Sequence, residues 1–346
     1  MTRTDDEATP RPTLAQVAAR AGVSLKTASR ALGGESYVSA KTLASVLAAA
    51  AELDYQRNAA ASLLASGRLA ESIGLITGDF TNPFYSALAQ AIEDEIRPRG
   101  MHLSVANSRE SAEQEQRVAH DLADRQTKAV ITVSAMTDHS EYAQLQARGI
   151  PVVFVDRPAE NLDADSIVFD NREGGRLAAR HLIDAGHHRI AFIGDYAWLP
   201  TYRQRLAGMG DVLDDLPRGE GADWRELLRT DAHDVASSRE CMRGLLALEN
   251  PPTAVVAGNN RILLGVMEEI ADHPQASPAV IGFDEPEWAQ VLGISVVTGD
   301  VEALGRQAAR LAVARLSDRT RAYESVVIPM QLIARRSTVA SLGSTD

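Results

Sequence analysis

The stretch AGVSLKTASRALGG (Ala21–Gly34) has the pattern of a tight glycine turn followed by a short, capped helix. Gly22 can adopt the left-handed conformation that ends a helix, and Ser24 is a favourable N-cap for a helix from Leu25 to about Leu32. Before the turn, Thr13 can cap a first helix with apolar residues at positions 14, 17, 18 and 21, the spacing of one helix face. The pattern therefore predicts two short helices joined at Gly22.

A third helix is predicted after Val38, with Ser39 as its N-cap. Its inner face is predicted to consist of Leu43, Val46, Leu47, Ala50 and Leu53. Three short helices, the first two joined by a tight turn, form a helix-turn-helix unit, whose second helix enters the major groove of DNA. A small structural bundle with a solvated basic face is the alternative interpretation.

The predicted second helix has side chains suited to reading bases. Its outward positions are Leu25, Lys26, Ser29 and Arg30, while Ala28 and Leu32 face the core. Lys26 and Arg30 can donate hydrogen bonds to guanine, and Leu25 can contact a thymine methyl group. Together with the helix caps, these side chains favour DNA binding over a purely structural role.

The acidity of the whole chain, a formal net charge of −12, conceals a basic N-terminal segment. Residues 10–70 contain seven Lys or Arg against three acidic residues, a net charge of +4. Residues 1–9 carry −2, which leaves −14 on residues 71–346. Affinity for phosphates is therefore expected of the basic segment alone, because the acidic remainder repels them.

The N-terminal region divides into three parts by composition. Residues 1–11 are polar without the apolar segment of a secretory signal, and they are predicted to be a disordered tail. The helix-turn-helix is predicted at 12–57, and a hinge helix or linker at 58–70, where Asn58 can cap about two helical turns. So short a helix is marginal alone. It is either a linker helix packed on the rest of the protein or one that forms only on DNA, with Leu64 as an apolar wedge in the minor groove.

From Ser72 onward, short β-branched runs alternate with helical stretches, which indicates an α/β fold with parallel sheets covered on both faces. The predicted strands are Ser72–Ile76, His102–Ala106, Ala129–Val133, Pro151–Val155, Ser166–Phe169, Arg189–Ile193, Thr253–Ala257, Ala279–Phe283 and Ser295–Thr298. Nine strands are many for one sheet, so two doubly wound lobes are predicted. Ligands bind beyond the carboxyl ends of such strands.

Polar and aromatic residues follow five of these strands. They are Asp79, Asn82, Phe84 and Tyr85 after the first, Asp156 and Arg157 after the fourth, Asp195, Trp198, Arg203 and Arg205 after the sixth, Asn259 and Asn260 after the seventh, and Asp284 and Trp288 after the eighth. Carboxylates and amides bind hydroxyl groups, and an aromatic ring stacks on the apolar face of a sugar. These residues therefore predict a cleft for a hydroxyl-rich small molecule.

Other classes of protein are disfavoured by the composition and motifs. No nucleophile-elbow, phosphate-loop or dinucleotide glycine motif opens a strand-helix turn, so an enzyme is not predicted. His181, His187 and His188 have no standard metal-ligand spacing, and neither metal nor cofactor is expected. The lone Cys241 fits a reducing compartment, and no apolar run is long enough for a membrane helix. A solute-binding protein without a regulatory role would leave the basic segment unexplained.

The motifs resemble those of lactose-repressor-type (LacI/GalR) regulators over almost the whole chain. The head and hinge similarity lies in TLAQVAARAGVSLKTASRALGG (13–34), YVS (37–39) and LDYQRNAAASLLASGR (53–68). In the remainder, FTNPFY (80–85), VDR (155–157), VFDN (168–171), HHRIAFIG (187–194) and IGFD (281–284) resemble the two-lobed, periplasmic-binding-protein-like body of that family. The resemblance implies one lobe at about 71–168 and 299–326 and the other at about 169–298 and 327–340.

The resemblance also implies roles for individual residues. The DNA-binding set is Thr13, Ser24, Leu25, Lys26, Thr27, Ser29, Arg30, Tyr37, Ser39, Asn58 and Leu64. The effector-binding set is Asp79, Phe84, Tyr85, Asp156, Arg157, Trp198, Arg205, Asn259 and Asp284. The chain departs from the common pattern at Ser62-Leu63, Asn260 and Gly299, which puts one hinge phosphate contact and one ligand contact in doubt.

The resemblance further implies that the protein is a cytoplasmic, bacterial, nucleoid-associated homodimer. This dimer would bind a palindromic operator and would be released from it by a sugar-like effector. Its dimer interface would include the helix at about Pro83–Ile96, and no heptad extension for tetramers follows Thr338. We expect the protein to repress carbohydrate genes and the sugar to relieve this repression. Corepression, or loss of effector control, is the alternative.

Overall fold

The computed structural model describes residues 12–33, 37–55, 71–215 and 223–338. The chain divides into two compact units, Met1–Ala70, here called the head, and Glu71–Asp346, here called the body. The predicted tail at 1–11 and the predicted hinge at 58–70, with Asn58 and Leu64, lie outside the described residues.

The head contains the three expected helices, α1 (Leu14–Arg20), α2 (Leu25–Leu32) and α3 (Ala40–Glu52). Their N-caps are Thr13, Ser24 and Ser39, and each side chain accepts a hydrogen bond from a backbone N–H in the first turn. Gly22 has φ +65°, the left-handed conformation that the turn between α1 and α2 requires.

The core of the head is small and rich in alanine. Its buried side chains are Val17, Ala18, Ala28, Ala31, Val46, Ala49 and Ala50. The prediction that Leu47 faces this core is wrong: its side chain is 50% exposed, and Ala49 is buried instead. Apolar residues occupy nearly every position of α3 from Leu43 to Ala51, so apolar spacing alone did not determine which face packs inward.

The body contains two six-stranded sheets. The first sheet, with strand order β11-β5-β4-β3-β1-β2, is parallel throughout. Its strands are β1 (Ser72–Thr77), β2 (His102–Asn107), β3 (Ala129–Thr132), β4 (Val152–Val155), β5 (Asp165–Phe169) and β11 (Ser325–Ile328). We call this sheet and its helices lobe 1.

The second sheet, which defines lobe 2, has strand order β12-β10-β9-β8-β6-β7. Its strands are β6 (Ile190–Ile193), β7 (Leu228–Arg229), β8 (Ala254–Ala257), β9 (Ala279–Phe283), β10 (Ser295–Gly299) and β12 (Met330–Ile333). All pairs are parallel except β12 with β10, which is antiparallel. The strands β7, β11 and β12 were not predicted from the sequence. The strand β7 has only two residues, and β11 and β12 each contain exposed residues, so none of the three forms a continuous buried run.

Helices cover the sheets, and the chain passes between the lobes three times. The helices of the body are α4 (Pro83–Ile96), α5 (Ala112–Asp124), α6 (Ala143–Ala147), α7 (Asn171–Asp184), α8 (Pro200–Leu213), α9 (Val235–Leu246), α10 (Asn260–Asp272), α11 (Glu287–Leu292) and α12 (Val301–Ser317). The crossings lie between β5 and α7, between β10 and α12, and at Pro329 between β11 and β12. The carboxyl ends of both sheets therefore supply residues to one cleft.

Two glycines let α7 and α8 pack backbone to backbone. A Cβ atom on Gly208 would lie 1.9 Å from the carbonyl oxygen of Arg172, and one on Gly175 would lie 2.1 Å from that of Arg205. The pair is also joined by ion pairs from Arg172 and Arg176 to Asp211. This close approach fixes the position of Arg205 on α8.

We expect Gly208→Ala to destabilise the body by about 1–3 kcal/mol, because neither backbone can move away without separating the two helices. Gly244→Ala is the matched control, since a Cβ atom on Gly244 in α9 meets nothing within 4 Å. That change should stabilise the body by about 0.5–1 kcal/mol. Urea unfolding of both variants measures the difference, and equal stabilities would contradict the close-packing argument.

Candidate functional site

The outer face of α2 is the candidate DNA-binding surface of the head. Leu25 is 54% exposed, and Lys26 and Arg30 are also exposed, as expected of base-reading side chains. Ala28 and Ala31 on the opposite face are buried, which fixes the rotation of the helix. The helix thus presents one apolar and two basic side chains on the same side.

Ser29 lies in the middle of α2, and the remaining predicted DNA-binding residues among the described part of the head lie at helix starts and in a turn. The Ser24 and Ser39 hydroxyls lie 2.8 Å from those of Thr27 and Thr42, respectively, and Thr13 forms a capping box with Gln16. Tyr37 is 93% exposed. Polar groups that cap helices remain available at the surface to donate hydrogen bonds to phosphate oxygens.

A small polar cavity lies between the lobes, at the carboxyl ends of both sheets. It is lined by Asn82, Phe84, Tyr85, Asp156, Arg157, Asp195, Leu199, Thr201, Tyr202, Arg205, Gly258, Asn259 and Asp284. Its volume of about 50 Å³ accommodates a few water molecules, whereas ligand sites usually measure about 300–1,000 Å³. A sugar-sized ligand therefore requires the lobes to separate.

Two aspartates in the same unusual backbone conformation face this cavity. Asp156 follows β4 with φ +69°, and Asp284 follows β9 with φ +66°. The backbone N–H of Asp156 donates to Ile167 O at 2.8 Å, and that of Asp284 donates to Val297 O at 3.0 Å. Left-handed backbone at non-glycine residues is costly and clusters at functional sites. Each lobe thus aims one carboxylate into the cleft from an equivalent strand end.

Arg205 is the buried cation of lobe 2. Its Nε donates to Asn171 Oδ1 at 2.7 Å, and its Nη1 donates to the carbonyl oxygen of Gly258 at 2.5 Å. Nη2 lies 3.8 Å from Asp284 Oδ1, and the guanidinium stacks over the ring of Phe283 at 4.4 Å. These contacts hold a planar set of donors beside the Asp284 carboxylate.

Arg157 is the buried cation that lobe 1 brings to the cavity, and its partner is a residue that the sequence did not indicate. Glu110, which follows β2, accepts from Arg157 Nη1 at 2.7 Å and from Nη2 at 2.9 Å. The hydroxyl of Tyr85 donates to the same carboxylate at 3.3 Å. Burial raises the pKa of Tyr85 well above its usual value, so the hydroxyl stays protonated. Glu110 lies 47 residues before Arg157 in a polar turn, and no local signal indicates this pair.

Asp195 organises a second group of polar residues in lobe 2. Its carboxylate accepts from Asn259 Nδ2 at 2.7 Å and lies 2.8 Å from His233 Nδ1. This hydrogen bond raises the pKa of His233. The imidazole also stacks on Tyr196 with ring centroids 4.5 Å apart.

Direct contacts join the two lobes across the cleft. Asn260 Nδ2 donates to Asn82 Oδ1 at 2.8 Å. The guanidinium of Arg157 lies over the ring of Trp198 at 5.6 Å, which places Trp198 beside the cavity although it is not part of the lining. A ligand that enters the cleft must replace or rearrange these contacts.

The structure brings together seven of the nine predicted effector-binding residues as cavity lining: Phe84, Tyr85, Asp156, Arg157, Arg205, Asn259 and Asp284. Asp79 is not among the lining residues, because both its carboxylate oxygens accept hydrogen bonds from Thr81. Thr201 and Tyr202, in the first turn of α8, line the cavity and were not selected from sequence.

Burial in the cleft raises the pKa of Asp156 to about 6. The positive charges of Arg157 and Arg205 lower this pKa, and the negative charges of Asp284 and Glu110 offset part of that lowering. Burial also raises the pKa of Asp284. A raised carboxyl pKa means that the folded protein binds the proton more tightly than the unfolded chain. Keeping Asp156 ionised therefore destabilises the fold above pH 6, and this cost decreases as the pH falls from 6 to 4.

We expect Asp156→Asn to stabilise the body by up to about 3 kcal/mol at pH 7.5, because the variant has no charge to bury. Asn also tolerates the left-handed backbone at this position. The stabilisation should shrink towards zero near pH 4, where the native carboxyl is protonated. Denaturant unfolding of both proteins from pH 4 to 8 measures it, and a difference independent of pH would contradict the burial argument.

None of the helices in the described residues is long and apolar enough to cross a membrane. Among residues 12–33, 37–55, 71–215 and 223–338, no cluster of three or more His, Cys, Asp or Glu side chains could hold a metal ion.

A helix-turn-helix head joined to a two-lobed α/β body with a polar interlobe cavity defines a ligand-controlled DNA-binding regulator. Comparison with known families agrees: the model for bacterial regulatory proteins of the lacI family matches residues 13–58, and the model for a periplasmic binding protein domain matches residues 73–320. The chain belongs to the lacI family. It is a transcriptional regulator and not an enzyme.

Individual relatives match over nearly the whole chain. The ribose operon repressor of Bacillus subtilis (strain 168) is 29% identical over 331 residues, which cover 94% of this chain and 98% of that repressor. The lac repressor dimer bound to operator and the anti-inducer ONPF has a TM-score of 0.78 and 26% identity, covering 96% and 100% of the two chains. The regulator CelR in complex with cellobiose has a TM-score of 0.68 and 27% identity, covering 94% and 100%.

Proposed function

We propose that this protein is a cytoplasmic, homodimeric repressor that binds a palindromic operator and is released from it by a sugar-like effector. The head supplies the DNA contacts, since its α2 face exposes Leu25, Lys26 and Arg30 together. Residues 10–70 carry a net charge of only +4, so two heads on two half-sites are needed for useful affinity. The dimeric, operator-bound lac repressor supports this arrangement.

The effector site is the interlobe cavity, and one observation carries this assignment. Asp156 and Asp284, one from each lobe, hold left-handed backbone conformations and direct partly buried carboxylates into the same cavity as Arg205. Two strained aspartates at equivalent strand ends of one cavity support a functional role for that cavity. The cellobiose complex of CelR and the name of the ribose operon repressor favour a carbohydrate or a related metabolite.

Control of DNA binding follows from the position of the cavity. A ligand that bonds to both lobes changes their relative orientation, because it replaces the Asn82–Asn260 contact and the packing of Arg157 on Trp198. It shifts the equilibrium between DNA-competent and released dimers by its differential affinity for the two states. In this proposal α4 (Pro83–Ile96) contributes to the dimer interface, and Leu64 is inserted into the minor groove.

Operator selection followed by ligand titration tests the proposal. Random duplexes enriched on the full-length protein should yield a palindrome whose affinity falls steeply with salt concentration. Mono- and disaccharides, sugar alcohols, sugar phosphates and nucleobases are then screened by thermal shift, where a ligand at 100 times its Kd stabilises the body by about 2.7 kcal/mol. Release of the selected operator by a hit supports induction, whereas tighter operator binding would indicate corepression. Absence of any selected palindrome would contradict the repressor function.

A further inference from the structure

The arginine that could hold an anionic ligand in lobe 1 is already paired inside the protein. Both terminal nitrogens of Arg157 donate to Glu110, and Nη1 also donates to the carbonyl oxygen of Ser134 at 2.7 Å. The side chains of Arg157 and Glu110 are each only 7% exposed. A bidentate carboxylate occupies the same face of the guanidinium that a phosphate would use. Three of the five N–H groups of Arg157 are used in this way, and its buried Nε, which lies 3.9 Å from Asp156 Oδ2, has no hydrogen-bond partner among the described residues.

Glu110 is held in this position from several sides. Its own backbone is left-handed, with φ +54°, and the hydroxyl of Tyr85 donates to its carboxylate. Space for the carboxylate exists because residue 78 is glycine: a Cβ atom there would lie 1.9 Å from Glu110 Oε1. The Glu110–Arg157 pair is therefore built into lobe 1 and is not a casual surface contact.

The other groups around the cavity leave it negative. The lining supplies three carboxylates (Asp156, Asp195, Asp284) and two guanidinium groups (Arg157, Arg205), and Glu110, which pairs with Arg157 outside the lining, brings the formal net charge to −2. Protonation of the neighbouring His233 would reduce this charge only to −1. Arg205 is committed to Asn171, Gly258 and Asp284, so it does not provide a vacant cationic fork either.

The two helices that begin at the cavity, α8 and α10, differ in whether a side chain caps their first turn. The first turn of α10 is capped by Asn259, and its Asn260 N–H also donates to Asp284 at 3.3 Å. The first turn of α8 begins at Pro200 and has no side-chain cap, so the backbone N–H groups of Thr201 and Tyr202 can donate to ligand oxygens. The buried Asn260 Oδ1 has no hydrogen-bond partner and can accept from a ligand hydroxyl. These groups match neutral hydroxyls, which both donate and accept.

We propose that the cleft selects uncharged polyhydroxyl ligands against phosphorylated or carboxylated ones, and that Glu110 sets this selectivity by occupying Arg157. The inference rests on the proposed effector function of the cavity. A phosphate would enter a cavity of like charge in which Glu110 already holds both terminal nitrogens of Arg157, and such like-charge contacts discriminate strongly against the wrong ligand. A neutral sugar can instead use Arg157 Nε, Asn260 Oδ1 and the aspartates.

Matched pairs of sugars test this selectivity on the full-length protein. D-glucose, D-ribose and D-fructose are compared by calorimetric titration with glucose 6-phosphate, ribose 5-phosphate and fructose 1-phosphate, alongside a wider panel of neutral disaccharides. We expect each phosphorylated sugar to bind about 100-fold more weakly than its neutral parent, or not measurably. A phosphorylated sugar that binds as tightly as its parent overturns the inference and leaves the effector function standing. Failure of every neutral and charged ligand overturns both.

Variants assign the selectivity to Glu110. Glu110→Gln should reduce the neutral-to-phosphorylated affinity ratio by at least about 10-fold and allow inorganic phosphate to raise the unfolding midpoint, which it should not do in the wild type. Gly78→Ala displaces the Glu110 carboxylate without changing the charge and should act in the same direction. Glu113→Gln, whose side chain is 78% exposed, removes the same charge three residues away and should change nothing. An unchanged ratio in both Glu110→Gln and Gly78→Ala overturns the role of Glu110.

Discussion

Replacing Asp284 by Asn should shift the effector response to roughly 10- to 150-fold higher ligand concentrations, while operator affinity stays unchanged. The Asp284 carboxylate lies in the cavity beside Arg205 and accepts from the Asn260 N–H. Hydrogen bonds to a charged group contribute about 1.5–3 kcal/mol, so the ligand Kd should rise roughly 10- to 150-fold. Asn is chosen over Ala because it tolerates the backbone φ of +66° at this position. Operator release measured by fluorescence anisotropy against ligand concentration gives both quantities.

Asp231→Asn provides the control for this measurement. Asp231 has the same left-handed backbone, with φ +61°, but it is exposed and does not line the cavity. The substitution removes the same charge from the body and should leave the effector response intact. An Asp284→Asn protein that still responds fully would place the effector site elsewhere. Equal loss in both variants would show that the charge of the body, and not the cavity, controls the response.

The fold could largely be predicted from sequence because its elements have strong local signals. Each of the three described helices of the head has a hydroxyl N-cap, and most of the nine predicted strands of the body are short apolar runs flanked by polar turns. The missed strands β11 and β12 lack such signals, since they are half-exposed and meet at Pro329, where the chain passes between the sheets. Their pairing depends on tertiary contacts that no local pattern encodes.

The candidate site was less predictable than the fold. A position after a strand indicates that a residue lies near the cleft, but it does not indicate which groups its side chain contacts. Asp79 and Asp156 both follow strands, yet Asp79 bonds to Thr81 two residues away while Asp156 faces the cavity. Glu110 illustrates the opposite case, a residue in a polar turn that pairs with an arginine distant in sequence. The hydrogen-bond partners of a polar side chain are known only from the folded structure. The sequence therefore cannot distinguish an aspartate that bonds to a neighbouring residue from one that faces the cavity.

Arg30→Ala should weaken binding to the selected operator by about 1–3 kcal/mol per half-site, or roughly 2–6 kcal/mol over two half-sites. The physical reason is that Arg30 lies exposed on the same face of α2 as Leu25 and Lys26 and can donate two hydrogen bonds to a guanine. Loss of a base contact also relaxes the preference at one symmetric pair of positions. Competition binding with operators substituted at each position measures both effects at a fixed salt concentration.

A change of charge alone would weaken binding to every duplex equally, and Arg20→Ala separates the two effects. Arg20 lies in the last turn of α1, where its side chain is 55% exposed and pairs with Glu52. Its removal takes away the same positive charge from the head and should lower affinity modestly and uniformly, without changing the base preference at any position. If Arg30→Ala also weakens operator and random duplexes by the same factor, α2 binds phosphates at this residue and its bases are read by other side chains.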